Sequence, residues 1–185
     1  METALTAHGK GATTVIVEIR SERPDDRVAI REVHVRAFGD ADAANLVDLL
    51  RERKKASISL VAVAGDKVVG HIMFSPITIS QAPEDFRGIG LAPLAVLPEY
   101  QNRGIGSQLA RAGLDVCVQG SYDVVVVLGH TSYYPRFGFS RAKDFGLDNE
   151  YNAADAFMAL ELKPAALRGV RGLVRYAPEF AEVGV

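Results

Sequence analysis

The sequence predicts a mixed α/β (α+β) fold, a sheet with helices packed on it, and three observations carry that prediction. Apolar runs of strand length and apolar residues at helical spacing take turns along the chain, the pattern of interleaved strands and helices. Two β-branched runs meet at Gly65-Asp66, a hairpin signal. "VVVVL" at Val124–Leu128 shows no polar alternation, as expected of a strand covered on both faces.

Each element follows from local pattern. "TVIVEIR", Thr14–Arg20, is β-branched with polar flanks and reads as a strand. Pro24 and two aspartates precede apolar Val28, Ile30, Val33, Val35 and Phe38, which predicts a helix stopped by Gly39. A second helix is expected over Asp42–Lys54, with Leu46, Val47, Leu49 and Leu50 apolar. Residues 57–79 supply the hairpin strands, and "SQAPEDFRG" a polar loop. Then come a strand over Gly88–Val96, a glycine turn, a helix over Gly104–Gln119 and a strand over Asp123–Gly129. Ala156–Leu162 is a further strand, and the tail "GLVRYAPEF" an edge piece. With no repeat, low-complexity segment or linker, residues 14–185 read as one domain after a flexible lead-in over residues 1–13.

Composition excludes several classes. A formal net charge of −2 gives no nucleic-acid footprint. The local cluster Arg51, Arg53, Lys54 and Lys55 reads as a solvated helix end, where cations are favoured. No apolar stretch is long enough to span a bilayer, and the N-terminus lacks the pattern of a signal or transit peptide. A cytoplasmic protein without a membrane partner is therefore expected. The single cysteine, Cys117, excludes an internal disulfide; it falls among apolar helix positions and reads as a buried, inert thiol. The four histidines are scattered, so no metal site is expected.

The most informative stretch is "LAPLAVLPEYQNRGIGSQLARAGL", residues 91–114. A strand ends at Leu97-Pro98, and Gln101, Gly104 and Gly106 precede a helix. Glycine lets backbone approach a ligand closely, and free N–H groups at a helix start attract anions. Arg103 adds a charge for the same anion. A tight turn that merely starts a helix is the alternative. No Lys-Ser/Thr follows the second glycine, which excludes a nucleoside-triphosphate loop. No third glycine with a later acid supports a dinucleotide fold.

This stretch resembles the signature of the GNAT superfamily of N-acetyltransferases, in which Gln/Arg-x-x-Gly-x-Gly/Ala opens the helix that binds the coenzyme A pyrophosphate. "YYPRFGF", Tyr133–Phe139, is similar to a second segment of that family. The resemblance implies a mostly antiparallel central sheet of six to seven strands flanked by about four helices. It also implies a splay between the fourth and fifth strands, here Gly88–Val96 and Asp123–Leu128, with acetyl-CoA lying in the cleft. Leu94, Ala95 and Val96 would hold the pantetheine arm and acetyl group through backbone groups. Gln101 would open the turn, and Asn102, Arg103, Gly104, Ile105, Gly106 and Ser107 would line the pyrophosphate.

The reaction so implied is acetyl transfer to a primary amine by direct attack in a ternary complex. Tyr134 matches the family's general acid, with packing beside Phe137 and Phe139 as its alternative role. Tyr133 reads as packing or as substrate wall. No acid occurs between Gly88 and Val96, and only Asp123 begins the fifth strand, so the base is unassigned. His130 and His71 are candidates because imidazole titrates near neutrality; each is equally a candidate for a structural hydrogen bond. His34 falls on the first helix and His8 in the lead-in. "FSPITI" and the two early helices would form the acceptor side, with Glu84 and Asp85 either attracting a cationic amine or simply solvated. A non-catalytic acyl-CoA-binding module, acyl transfer to oxygen and a homodimer stay open.

Overall fold

Strand and helix alternate as the pattern demands. The structure, a computed structural model, describes residues 16–153 and 155–184. The lead-in, His8 and the first residues of the expected opening strand lie outside these. The chain begins with β1 (Glu18–Ser21), α1 (Arg27–Phe38) and α2 (Asp42–Glu52). β2 (Ile58–Ala64) and β3 (Lys67–Pro76) form the hairpin, followed by the short β4 (Thr78–Ile79). Then come β5 (Gly88–Val96), α3 (Ile105–Gln119), β6 (Val124–Leu128), β7 (Ser140–Arg141) and β8 (Leu147–Asn149). β9 (Phe157–Glu161), β10 (Gly172–Arg175) and α4 (Glu179–Val183) complete it.

The main sheet has seven strands in the order β1-β2-β3-β5-β6-β9-β7. Every neighbouring pair is antiparallel except β5 and β6. Local signals explain the ends of its elements. Gly39 caps α1 with φ +88°, its N–H bonded to the Val35 carbonyl at 2.9 Å. The β2–β3 turn is two residues long, with Ala64 opposite Lys67 and Gly65 at φ +65°.

Helices cover both faces. Gly70 of β3 faces Leu109 of α3, and the next residue, His71, meets His34 of α1. Adjacent strand residues point to opposite faces, so α1 and α3 sandwich the sheet. Val124–Val127 of β6 are at most 1% exposed, which is the double cover their unbroken apolar run predicts. Each fully buried Val, Leu or Ile in this core contributes about 2 kcal/mol.

Two features differ from the pattern-based expectation. The tail is no edge piece of the main sheet: β10 pairs with β4 and β8 in a separate three-stranded sheet. Short strands of two to four residues carry too little periodicity to reveal their partners. The basic cluster is not uniformly solvated either. Arg51 is 9% exposed and ion-paired with Glu22 at 2.7 Å, and Arg53 pairs with Glu182. Both carboxylates come from distant segments that no local pattern could place.

Candidate active site

The cleft begins where β5 leaves β6. The two strands pair only over Gly88–Gly90 and Val124–Val126, although β5 continues to Val96 and β6 to Leu128. Ile72 faces Leu94 and Phe74 faces Leu91, so β5 carries one residue more than β3 between these pairs. Such a bulge bends its strand, and Pro93 has no N–H to give a ladder there. Beyond it Leu94 and Val96 are half-buried and line the opening. Ala95 is buried, in register with His71 and turned to the opposite face.

At the floor of this cleft of about 870 Å³ stands the start of α3. Asn102 and Gly104 take the left-handed conformation, φ +57° and +79°. Gly104 precedes the helix, and the first N–H bonded to it is that of Gln108, at 3.0 Å from the Gly104 carbonyl. The N–H groups of Ile105, Gly106 and Ser107 therefore face the cleft without helical acceptors. Its chain neighbours aside, no atom of the described residues lies within 4 Å of where a Gly104 Cβ would stand, whereas a Cβ on Gly106 would come 3.0 Å from Tyr133 Oη. Gln101 steadies the turn by donating Nε2–H to the Val96 carbonyl at 2.9 Å.

The charge arrangement differs from the expectation. Arg103 is exposed, stacks 5.8 Å over the Tyr100 ring and does not line the cleft. Arg136 does line it, 4.6 Å over the Tyr133 ring. It stood in the quoted aromatic motif, and its position there was the available signal.

Tyr133 and Tyr134 close the cleft opposite β5. The turn holding them starts at His130, whose carbonyl accepts the Tyr133 N–H at 2.9 Å. Tyr134 is 8% exposed and packs edge-on against Tyr133 and Phe139. A Cβ on Gly129 would strike the Tyr134 ring at 2.4 Å, so glycine is required for that placement. Burial, and then the neighbouring Tyr133, pushes the Tyr134 phenol above its usual pKa. It therefore holds its proton at neutral pH. His130 is exposed at the cleft.

His71 is placed elsewhere. It is fully buried and lines neither cavity described here. Its Nδ1 lies 2.7 Å from His34 Nε2, and its Nε2 2.8 Å from Ser59 Oγ. Ser59 donates to Glu22, which also takes a bond from Arg51. The Ser59 proton is thus committed, so His71 Nε2–H donates to Ser59 and His34 Nε2–H donates to His71. This tautomer leaves His34 Nδ1 without a partner among the described residues. Burial holds both imidazoles well below their usual pKa.

The other candidate groups resolve similarly. Asp123 is bound by Lys163 at 2.6 Å and by the Arg87 N–H at 2.7 Å, at the end of β6 away from the cleft. Glu84 and Asp85 are exposed and line neither cavity. Burial pushes the Cys117 thiol up to about 12, which removes it as an acyl carrier. Among the described residues, no three His, Cys, Asp or Glu side chains are grouped to hold a metal ion, and no helix is long and apolar enough to cross a membrane.

A second cavity, about 290 Å³, adjoins the first through Phe38, Ala92, Pro93 and Leu128. The acceptor side drawn from the early helices corresponds to Phe38, Ala43 and Leu46, but no residue of "FSPITI" lines it. Asp42, at the start of the second early helix, belongs with these helix residues; Asp40, Tyr151, Tyr176 and Phe180 complete the wall, and no sequence pattern assigns those four to the acceptor side.

The sequence profile of the "Acetyltransferase (GNAT) domain" family matches residues 18–142. The chain belongs to the GNAT acetyltransferase family. Its relatives include the uncharacterized N-acetyltransferase YhbS of Escherichia coli K12, 37% identical over 164 residues, covering 88% of this chain and 97% of YhbS. The crystal structure of E. coli YhbS in complex with CoA superposes with a TM-score of 0.87 at 35% identity, covering 97% of this chain and 98% of that one. A GNAT acetyltransferase from Brucella melitensis in complex with acetyl-CoA gives 0.74 at 35% identity, covering 90% and 99%. The sheet order, the parted β5 and β6 and the open start of α3 are the features of this chain that the GNAT fold explains together.

Proposed function

We propose that this chain is an acetyl-CoA-dependent N-acetyltransferase that acetylates a primary amine by direct attack in a ternary complex. Residues 14–185 serve as one catalytic domain. The observation that carries this reading is the open start of α3 facing the gap between β5 and β6. Three free N–H groups at the positive end of a helix suit a pyrophosphate. Among the described residues, open space beside Gly104 leaves room for it, and two relatives were solved with CoA or acetyl-CoA bound.

Gln101, Asn102, Gly104, Ile105, Gly106 and Ser107 form the pyrophosphate seat, with Arg136, in place of the outward Arg103, as the cation that reaches the cleft. Leu94, Ala95 and Val96 hold the pantetheine arm and acetyl group along β5. Bound acetyl-CoA supplies a thioester carbonyl open to an amine. Tyr134, kept protonated by burial, donates a proton to the departing sulfur. His130 stands at the cleft as a proton acceptor. His71 acts structurally, holding α1 on the sheet through His34.

Calorimetry with acetyl-CoA tests the seat, on wild type and on a Gly104→Glu, Gly106→Glu double variant. Two carboxylates there repel and block a pyrophosphate, so binding is lost while circular dichroism stays unchanged. Wild-type protein that does not bind acetyl-CoA overturns the reading. The alternative, a non-catalytic acyl-CoA-binding module, draws on the lack of a carboxylate on β5. It predicts binding without thioester turnover by any amine.

A further inference from the structure

The second cavity has a composition that selects a class of acceptor. Apart from Asp40, Asp42 and two tyrosine hydroxyls its walls are apolar, with Phe38, Leu46, Pro93 and Phe180 among them. Its volume of about 290 Å³ is the size of a small molecule's body. A polyhydroxylated acceptor would bury hydroxyls without partners there, which disfavours it.

Two polar features give the cavity a direction. Asp40, in the α1–α2 turn, and Asp42, the first residue of α2, are exposed, with the Asp42 N–H donating to Asp40 Oδ1 at 3.0 Å. Asp48, further along α2, is ion-paired with Arg31 and Arg51, whereas neither Asp40 nor Asp42 is paired among the described residues. The second feature is Tyr176 Oη. This side chain is 7% exposed, and its hydroxyl is buried without a hydrogen-bond partner among the described residues. The Leu128 backbone lies near it but outside hydrogen-bonding geometry. Leu128 borders both cavities, and the Tyr176 hydroxyl lies just beneath the surface beside it, where a small rotation of the side chain would bring it to the junction of acceptor cavity and cofactor cleft.

We propose that the acceptor is a small primary amine with an aromatic or compact apolar body, seated in this cavity with its nitrogen held by Tyr176 Oη. This deepens the transferase reading and rests on it. Asp40 and Asp42 draw the ammonium form in from water. The ammonium gives one proton to His130, the acceptor at the cleft, or to solvent, and the neutral amine donates an N–H to Tyr176 Oη. Transfer then forms the N–C bond, breaks the thioester C–S bond and moves one proton from nitrogen to sulfur. Tyr176 is a positioning residue with no proton to exchange in the balance.

The test compares 2-phenylethylamine, glucosamine and a short peptide with a free N-terminus as acceptors, by acetyl-CoA turnover and by calorimetric binding to CoA-loaded protein. Expected is at least a 10-fold higher kcat/KM for 2-phenylethylamine than for either competitor, with measurable binding only for that amine. Asp40→Asn with Asp42→Asn raises its KM roughly 10-fold, and the increase shrinks at high salt as screening grows. Tyr176→Phe, which removes only an unpaired hydroxyl, raises KM and weakens amine binding while the CoA Kd stays constant. Equal or better use of glucosamine or the peptide overturns the proposal, as does an unchanged KM in the Asp40/Asp42 variant. In those cases CoA binding persists and the transferase reading stands. Loss of CoA binding by wild-type protein overturns the transferase reading, and this proposal with it.

Discussion

Tyr134 and Gly129 show how one residue's role depends on its neighbour's lack of a side chain. The ring lies where a Gly129 Cβ would have to be, packed against Tyr133 and Phe139, with its hydroxyl bordering the cleft. Tyr134→Phe keeps the packing and removes the proton. The expected result is a fall in kcat of about 100-fold, within the usual range for a lost general acid, and an unchanged CoA Kd by calorimetry. An equal loss of CoA affinity would assign the hydroxyl to binding instead. At this scale the motif residues were legible in the sequence because backbone dihedrals and close approaches demand particular residue types. Gly104 at φ +79° is one such case. Asp40 and Tyr176 were not legible, because nothing about an exposed acid or a tail tyrosine marks which cavity it will line.

Between elements, the buried chain His34–His71–Ser59–Glu22–Arg51 ties α1 and α2 to β2, β3 and the end of β1. Both imidazoles are neutral in the fold, and their pKa lies below the unfolded value of 6.5. Below about pH 6.5 the unfolded chain binds more protons than the folded one, so stability falls as pH falls toward the folded pKa. At pH 5.5 the His34 imidazole, held neutral, costs about 1.4 kcal/mol relative to neutral pH, and His71 acts in the same direction. Glu22, lowered to about 2, adds a further loss below pH 4.5; its burial acts upward but is outweighed by the nearby His71 N–H, 3.6 Å away, and by bonds from Arg51 and Ser59. Thermal unfolding from pH 7.5 to 5.5 checks this. His34→Leu lowers Tm overall but flattens its decline with pH, and an unaltered slope would refute the assignment. The histidines were visible in the sequence as scattered residues; only packing made them a pair.

At the scale of the whole molecule, a ligand seated between β5, α3 and the Tyr133–Tyr134 turn links segments far apart in the chain. Binding that favours the folded state stabilises it by mass action, about 2.7 kcal/mol at a CoA concentration of 100 times Kd. For a chain of 185 residues this raises Tm by about 5–10 °C. Differential scanning fluorimetry reads the shift directly, and the Gly104→Glu, Gly106→Glu variant should show none.

By itself the sequence determined the order and kind of the main elements, the site of the glycine turn and the family, since each follows from local periodicity, turn chemistry or short motifs. Tertiary structure alone decided the pairing of β10 with β4 and β8, the burial of Arg51 against Glu22 and the removal of His71 from the cleft. It also decided which residues wall the second cavity. The physical reason is range: helix starts and hairpins are set by interactions within a few residues. A cavity wall is instead assembled from residues as distant as Phe38 and Phe180, whose meeting depends on how the whole sheet parts and twists.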